Sequence, residues 1–271
     1  MSRKAIYAIC ILILATYGMA IFLGLRHFHP ADWPGNGEPL PVSLLRSPSM
    51  ESIPQGALGD SIWYGLKLFN ETSVYAPAYT GSRLSCSSCH IEGGTAPHAV
   101  PVAGVPALFP MFSKRAGHMI SLKDRIQECF TRSENGQPLP ENGREMTALV
   151  DYMHWLSEEQ SARKGVIGRG LIKLPDMEPD TGNGQQIYAQ QCAGCHGVNG
   201  EGSPPLMPPV WGDKSFNDGA GMNRVEEMAS FVQYNMPQNR RGILSVQAAY
   251  DVSAYIHQMP RPKFNTAYGQ Y

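Results

Sequence analysis

The sequence predicts a mostly helical protein: two similar domains in tandem, preceded by an N-terminal transmembrane helix. Three observations predict this. Residues 5–25 carry no charged side chain, and as a helix rising about 1.5 Å per residue that run matches a bilayer core of about 30 Å. A Cys-x-x-Cys-His motif occurs twice, as Cys86-Ser-Ser-Cys89-His90 and Cys192-Ala-Gly-Cys195-His196. Around each copy the same elements follow in the same order: a short helix, the motif, a Gly- and Pro-rich loop, and a closing amphipathic helix. Composition agrees. The 28 Gly and 22 Pro in 271 residues make about 18%, against about 12% typically, which calls for long loops and excludes a coiled coil. The 22 Lys and Arg nearly balance the 23 Asp and Glu, so no basic excess exists to hold a polyanion and no nucleic-acid partner is expected.

Taken in order, residues 1–29 read as a membrane anchor. Arg3 and Lys4 precede the apolar run, so the positive-inside rule leaves the N-terminus in the cytoplasm and exports the rest. A cleaved signal peptide is the alternative, because Gly18-Met19-Ala20 offers a small-x-small site, yet the apolar run continues through Ile21-Phe22-Leu23. Cys10, inside the run, reads as an inert membrane-facing thiol. Residues 30–58, opening on Pro30, read as a tether.

The first domain spans 59–158. Ile62, Leu66 and Phe69 recur at helix spacing, and helices are expected over 121–130 and 145–156, the second with Met146, Leu149, Val150, Met153 and Leu156 on one face. Residues 159–183 read as a linker. The second domain spans 184–262, with a helix over 184–191, a loop over 198–223, and helices at about 224–234 and 245–258; residues 263–271 form a tail. The two closing helices share a pattern, Asp151-Tyr152-Met153-His154 beside Ala254-Tyr255-Ile256-His257.

A Cys-x-x-Cys-His motif attaches c-type haem: both thiols add to the haem vinyl groups and the adjacent His reaches the iron. A redox Cys-x-x-Cys would need a βαβ setting that the pattern lacks, and a four-cysteine zinc site would leave both histidines unexplained. Two copies therefore imply two covalently bound haem c groups, one on Cys86, Cys89 and His90, the other on Cys192, Cys195 and His196. The fold expected is two class I-like cytochrome c domains in tandem.

Each iron has a second axial position. In the second domain the candidate is Met236, 40 residues after His196; a thioether raises the potential, which suits electron transfer. Met207, only 11 residues after His196, is the rival but lies too close to the attachment site. In the first domain Cys129 stands 39 residues after His90. A free Cys is often a small buried hydrophobe, but its match in position to Met236 favours a haem ligand. Met111 and Met119 read as core residues. A cysteine ligand lowers the potential, and its sulfur is a nucleophile toward sulfur compounds. An ordinary electron carrier needs neither property.

The stretch Leu122-Lys-Asp-Arg125-Ile-Gln-Glu-Cys129-Phe-Thr-Arg132-Ser133-Glu-Asn135-Gly136, with Leu84-Ser-Cys86-Ser-Ser-Cys89-His90-Ile-Glu-Gly-Gly, is similar to the signature of the dihaem thiosulfate dehydrogenases (tetrathionate synthases). The resemblance covers roughly residues 55–260. It implies that the first haem is the active site with His90 and Cys129 as axial ligands, and that Arg115, Arg125 and Ser133 occupy substrate-binding positions beside Cys129. It implies thiosulfate and tetrathionate as substrate and product, in either direction, and a cytochrome or membrane redox partner as acceptor. The chemistry agrees, since thiosulfate is a dianion and Arg presents a fixed fork of donors. Some relatives carry Lys before the second-haem Met and switch ligands there; Asn235 stands here, so a His196/Met236 pair is expected in both redox states. The expected location is the periplasmic side of the bacterial inner membrane, anchored by residues 5–25. The alternative is a membrane-tethered dihaem electron carrier without substrate chemistry.

Overall fold

In the computed structural model, residues 47–158, 168–203 and 207–269 are described, and all of them fall within one unit, Leu40–Tyr271. The expected anchor at 5–25 lies outside the described residues. Among those residues no helix is long and apolar enough to cross a membrane.

The first half is built on helix α1 (Ala57–Asn70), helix α2 (Leu122–Glu128) and helix α3 (Arg144–Leu156). Between α1 and α2 the chain makes short turns and one antiparallel hairpin, β1 (Met111–Ser113) with β2 (His118–Ile120). Helix α1 crosses α3 closely. A Cβ on Gly65 would collide with the Ala148 carbonyl oxygen and with Tyr152, so only glycine permits the approach. Ile62, Leu68 and Phe69 of α1 interlock there with Met146, Leu149 and Tyr152 of α3. Burying each such side chain contributes about 1.5–3 kcal/mol. Helix α2 starts where Ser121 accepts the Asp124 N–H at 3.1 Å and Asp124 reaches back to the Ser121 N–H at 2.8 Å, a reciprocal cap. It runs on into a π-helical turn, Cys129–Ser133, a widened geometry common at functional sites.

The second half repeats the plan with helix α4 (Thr181–Ile187), helix α5 (Val225–Asn235) and helix α6 (Val246–His257). Asp180 caps α4 by accepting the Gly182 and Asn183 N–H groups, so the helix begins three residues earlier than expected. Gly184 plays the part of Gly65: a Cβ there would meet the Asp251 carbonyl oxygen and Tyr255. Ala148 and Tyr152 stand to α3 as Asp251 and Tyr255 stand to α6, so the repeat extends to the helix-crossing contacts.

Two expectations change. Met111 and Met119 are not core residues; they sit on the hairpin, 43% and 56% exposed. The described part of the expected linker packs against both halves: the Gly168 carbonyl accepts the His98 N–H at 2.8 Å, Ser230 Oγ donates to the Ile172 carbonyl at 2.6 Å, and Leu174 is buried.

The halves are joined by buried polar contacts. Asn217 Nδ2 donates to the Thr131 carbonyl at 2.8 Å and to Asn135 Oδ1 at 3.2 Å. The Arg132 guanidinium lies 4.0 Å over the Phe264 ring, and Phe264 is held by its N–H to Asp218 Oδ1 at 2.7 Å.

Candidate functional site

In the first half a cavity of about 530 Å³ opens between α2, the hairpin and the Cys86–His90 turn. Its walls are mainly apolar, with Phe69, Val102, Phe109, Ile126 and Leu149 among them. Cys86, Cys89 and His90 line it, and so do Arg125, Cys129 and Ser133. Neither motif cysteine is in a disulfide, so both sulfurs face the cavity available for covalent attachment.

The His90 ring is oriented by the backbone. Nδ1 lies 2.5 Å from the Val100 carbonyl oxygen. A carbonyl only accepts, so Nδ1 carries the proton and the Nε2 lone pair is free for a metal. Burial pushes the imidazole down to about 4, which keeps it neutral. Val100 holds a φ of +49° to present that carbonyl, a left-handed conformation that is rare for a β-branched residue. The second half uses the same device: His196 Nδ1 lies 2.8 Å from the Pro208 carbonyl oxygen. Met207 immediately precedes Pro208 in the chain and pairs through its backbone with Ser203. Met236 ends α5, its N–H donating to the Val232 carbonyl at 2.9 Å, and packs, as Met222 does, against a cluster that contains Ile91 and Phe231.

These features fit the group. Two free thiols, a neutral imidazole with Nε2 available, and an apolar cavity suit a covalently attached haem in the first half. A matching thiol pair and oriented imidazole suit one in the second. These are the residues that would hold the two haem c groups of the family.

The polar side of the first cavity is concentrated at α2. Arg125 Nη1 donates to Cys129 Sγ at 3.2 Å and pairs with Glu128 Oε2 at 3.2 Å. One helical turn puts Arg125 and Cys129 on a common face. The Cys129 sulfur raises the guanidinium further above its already high range, outweighing burial. Glu128 is 5% exposed, and its Oε1 has no hydrogen-bond partner. Glu134 also lines the cavity, is buried, and accepts from Ser82 Oγ at 3.1 Å; desolvation pushes its carboxyl up to about 7. Lys114 and Ser113 of the hairpin reach the cavity wall. Arg115 does not: it is exposed in the hairpin turn, outside the lining. Reading the sequence missed Glu128 and Glu134 as neighbours of the site, while Lys114, which the sequence left as a solvated neighbour of the arginines, lines the cavity. Glu128 carried a signal, since it precedes Cys129 and stands three residues from Arg125.

An oriented His beside two thiols, made twice in two similar halves, defines a c-type cytochrome with two haem centres. The family model described as "Cytochrome c" matches residues 182–260, and that described as "SoxA/TsdA, cytochrome c domain" matches residues 72–161. A thiosulfate dehydrogenase of Allochromatium vinosum is 37% identical over 244 residues, 86% of this chain and 90% of that protein. One of Psychrobacter arcticus is 38% identical, covering 80% of this chain and 68% of that protein. The solved thiosulfate dehydrogenase (TsdBA) of Marichromatium purpuratum is 33% identical with a TM-score of 0.75; the match covers 80% of this chain and 49% of that one. The chain belongs to the thiosulfate dehydrogenase family.

Proposed function

We propose that the protein oxidises thiosulfate to tetrathionate at the first centre and passes the electrons out through the second. Two thiosulfate dianions each lose one electron as a new bond forms between their sulfane sulfurs, giving tetrathionate and two electrons. Bound haem supplies the one-electron acceptors. The remaining chemistry belongs to side chains. Arg125 and Lys114 bring positive charge to the lining of a mostly apolar cavity, where it offsets repulsion between two dianions more strongly than in water. Ser133 adds a hydroxyl donor. Arg115, in the exposed hairpin turn, attracts the anion on its way in and does not clamp it. Cys129 presents a nucleophilic sulfur beside these donors, and Arg125 holds that sulfur in place.

His90 and Cys129 are proposed as the axial pair of the first haem, and His196 and Met236 as that of the second. The same arrangement serves the reverse reaction, tetrathionate reduction. We place the protein on the periplasmic face of the bacterial inner membrane, held by residues 5–25; the 21-residue uncharged run behind Arg3 and Lys4 supports that placement. A cytochrome-type or membrane redox partner receives the electrons.

The observation that carries the reading is the Arg125–Cys129 contact at the wall of the cavity that holds His90. The test is Cys129→Gly in the holoprotein, assayed with thiosulfate and ferricyanide. Turnover is expected to fall about 100-fold or more, with both haems still attached by mass; full activity in that variant overturns the reading.

A further inference from the structure

Asn235 is 1% exposed. Its amide donates from Nδ2 to two backbone carbonyls, Phe231 one turn back at 3.0 Å and His98 of the first half at 3.0 Å. An Nδ2 group has two hydrogens, and a buried amide is costly unless they are used; here both are. The carbonyl reached across the boundary belongs to an unusual segment. His98 and Val100 hold φ of +58° and +49°, and such backbone persists only where its surroundings enforce it. Val100 gives its carbonyl to His90 Nδ1, while His98 gives its own to Asn235. Three consecutive residues therefore serve two centres. Two more contacts follow the same line: the His98 and Tyr234 rings lie 5.1 Å apart, and Ile91, next to His90, shares an apolar cluster with Phe231 and Met236.

We infer that Asn235 is a positioning residue. Its bond to the His98 carbonyl fastens the segment carrying Met236 to the strained strap that orients His90, so the ligand shells of the two centres are held by one mount. This rests on the reading of His90 and Met236 as haem ligands. The Arg241–Glu92 ion pair at 2.9 Å crosses the same boundary, but it is partly exposed and screened, and it touches neither His98 nor Val100.

The test uses the holoprotein with both haems attached and compares Asn235→Leu, which keeps the volume but removes the donor, with Arg241→Gln. Two signals are read: amide hydrogen exchange over residues 90–102, and the charge-transfer band of methionine-ligated oxidised haem. Asn235→Leu is expected to speed exchange over 90–102 about tenfold and to weaken the band, while Arg241→Gln moves either signal less than about twofold. Tyr234→Leu, which removes only the ring contact, is expected to give the same pattern at smaller size and serves if Asn235→Leu does not mature. Faster exchange confined to residues 225–240, an unweakened band, or equal effects from Arg241→Gln overturns the inference. Absence of the band in the unmutated protein defeats instead the reading of Met236 as a ligand, and the exchange measurement then decides the clasp alone.

Discussion

The two halves hold their histidines in the same way and differ in what they gather nearby. Each motif imidazole gives its Nδ1 proton to a loop carbonyl, Val100 at 2.5 Å and Pro208 at 2.8 Å. Near Met236 the second half collects apolar side chains, among them Phe231 and Met222. The first half collects Arg125, Glu128 and Glu134 around Cys129. One scaffold thus carries two chemistries, and the difference lies in α2 and the π-helical turn after it. Glu128 and Cys129 stand three and four residues after Arg125, so each meets it on one side of the helix.

The strongest way to break the comparison is to give the first half the ligand proposed for the second. Cys129→Met is expected to raise the first haem's potential, since a thioether replaces a sulfur that donates electron density. Thiosulfate turnover is expected to fall about 100-fold or more, because Arg125 is left facing a group that neither reacts nor pairs with it. Potentiometric titration and the ferricyanide assay read the two effects; an unchanged potential would show that Cys129 does not set it. Arg125→Gln is a milder break. It is expected to cut kcat/KM about 10- to 100-fold, mostly through KM, and to lower stability by about 1 kcal/mol because Glu128 loses its cation in a half-exposed pair. Steady-state kinetics and thermal unfolding measure these.

The smallest effect concerns the segment by which the second half covers Arg132 of the first. Asp218 is held below its ordinary 3.8, first by the Phe264 N–H and then by Lys263. A depressed native value gives stability that is present above the unfolded value and lost as pH falls through the native one. The stability difference between the unmutated protein and Asp218→Asn should therefore be flat from neutral pH down to about 4 and vanish in stronger acid, at under about 1 kcal/mol throughout. Denaturant titrations over that range test it.

Most helices were legible because their apolar spacing is strong: Met146, Leu149, Met153 and Leu156 are all buried as the pattern required. Gly65 and Gly184 were a further signal that periodicity passes over. A glycine inside a helix costs up to about 1 kcal/mol, so its use in two equivalent helices marks two equivalent close crossings. The hairpin was not legible. Its strands are three residues each, too short to show alternation, and Phe112 and Met119 point outward at 57% and 56% exposed, so apolar content misled where Met119 was concerned. The carbonyls of Val100 and Pro208 left no trace either, because a backbone acceptor has no side-chain signature. Cys129 was found by its distance from His90, but Glu128 and Glu134 were not, since burial beside a cavity depends on tertiary packing.

The hydrogen bond between Asn235 and His98 joins residues 137 apart in sequence. Closing a loop of that size costs about 4 kcal/mol of chain entropy, and contacts at such separations slow folding. The strap that seats His90 therefore has one of its supports in a residue of the other half, far along the chain. Truncations from the C-terminal side that remove Asn235 are expected to loosen the strap at His90 while every residue lining the first cavity is still present.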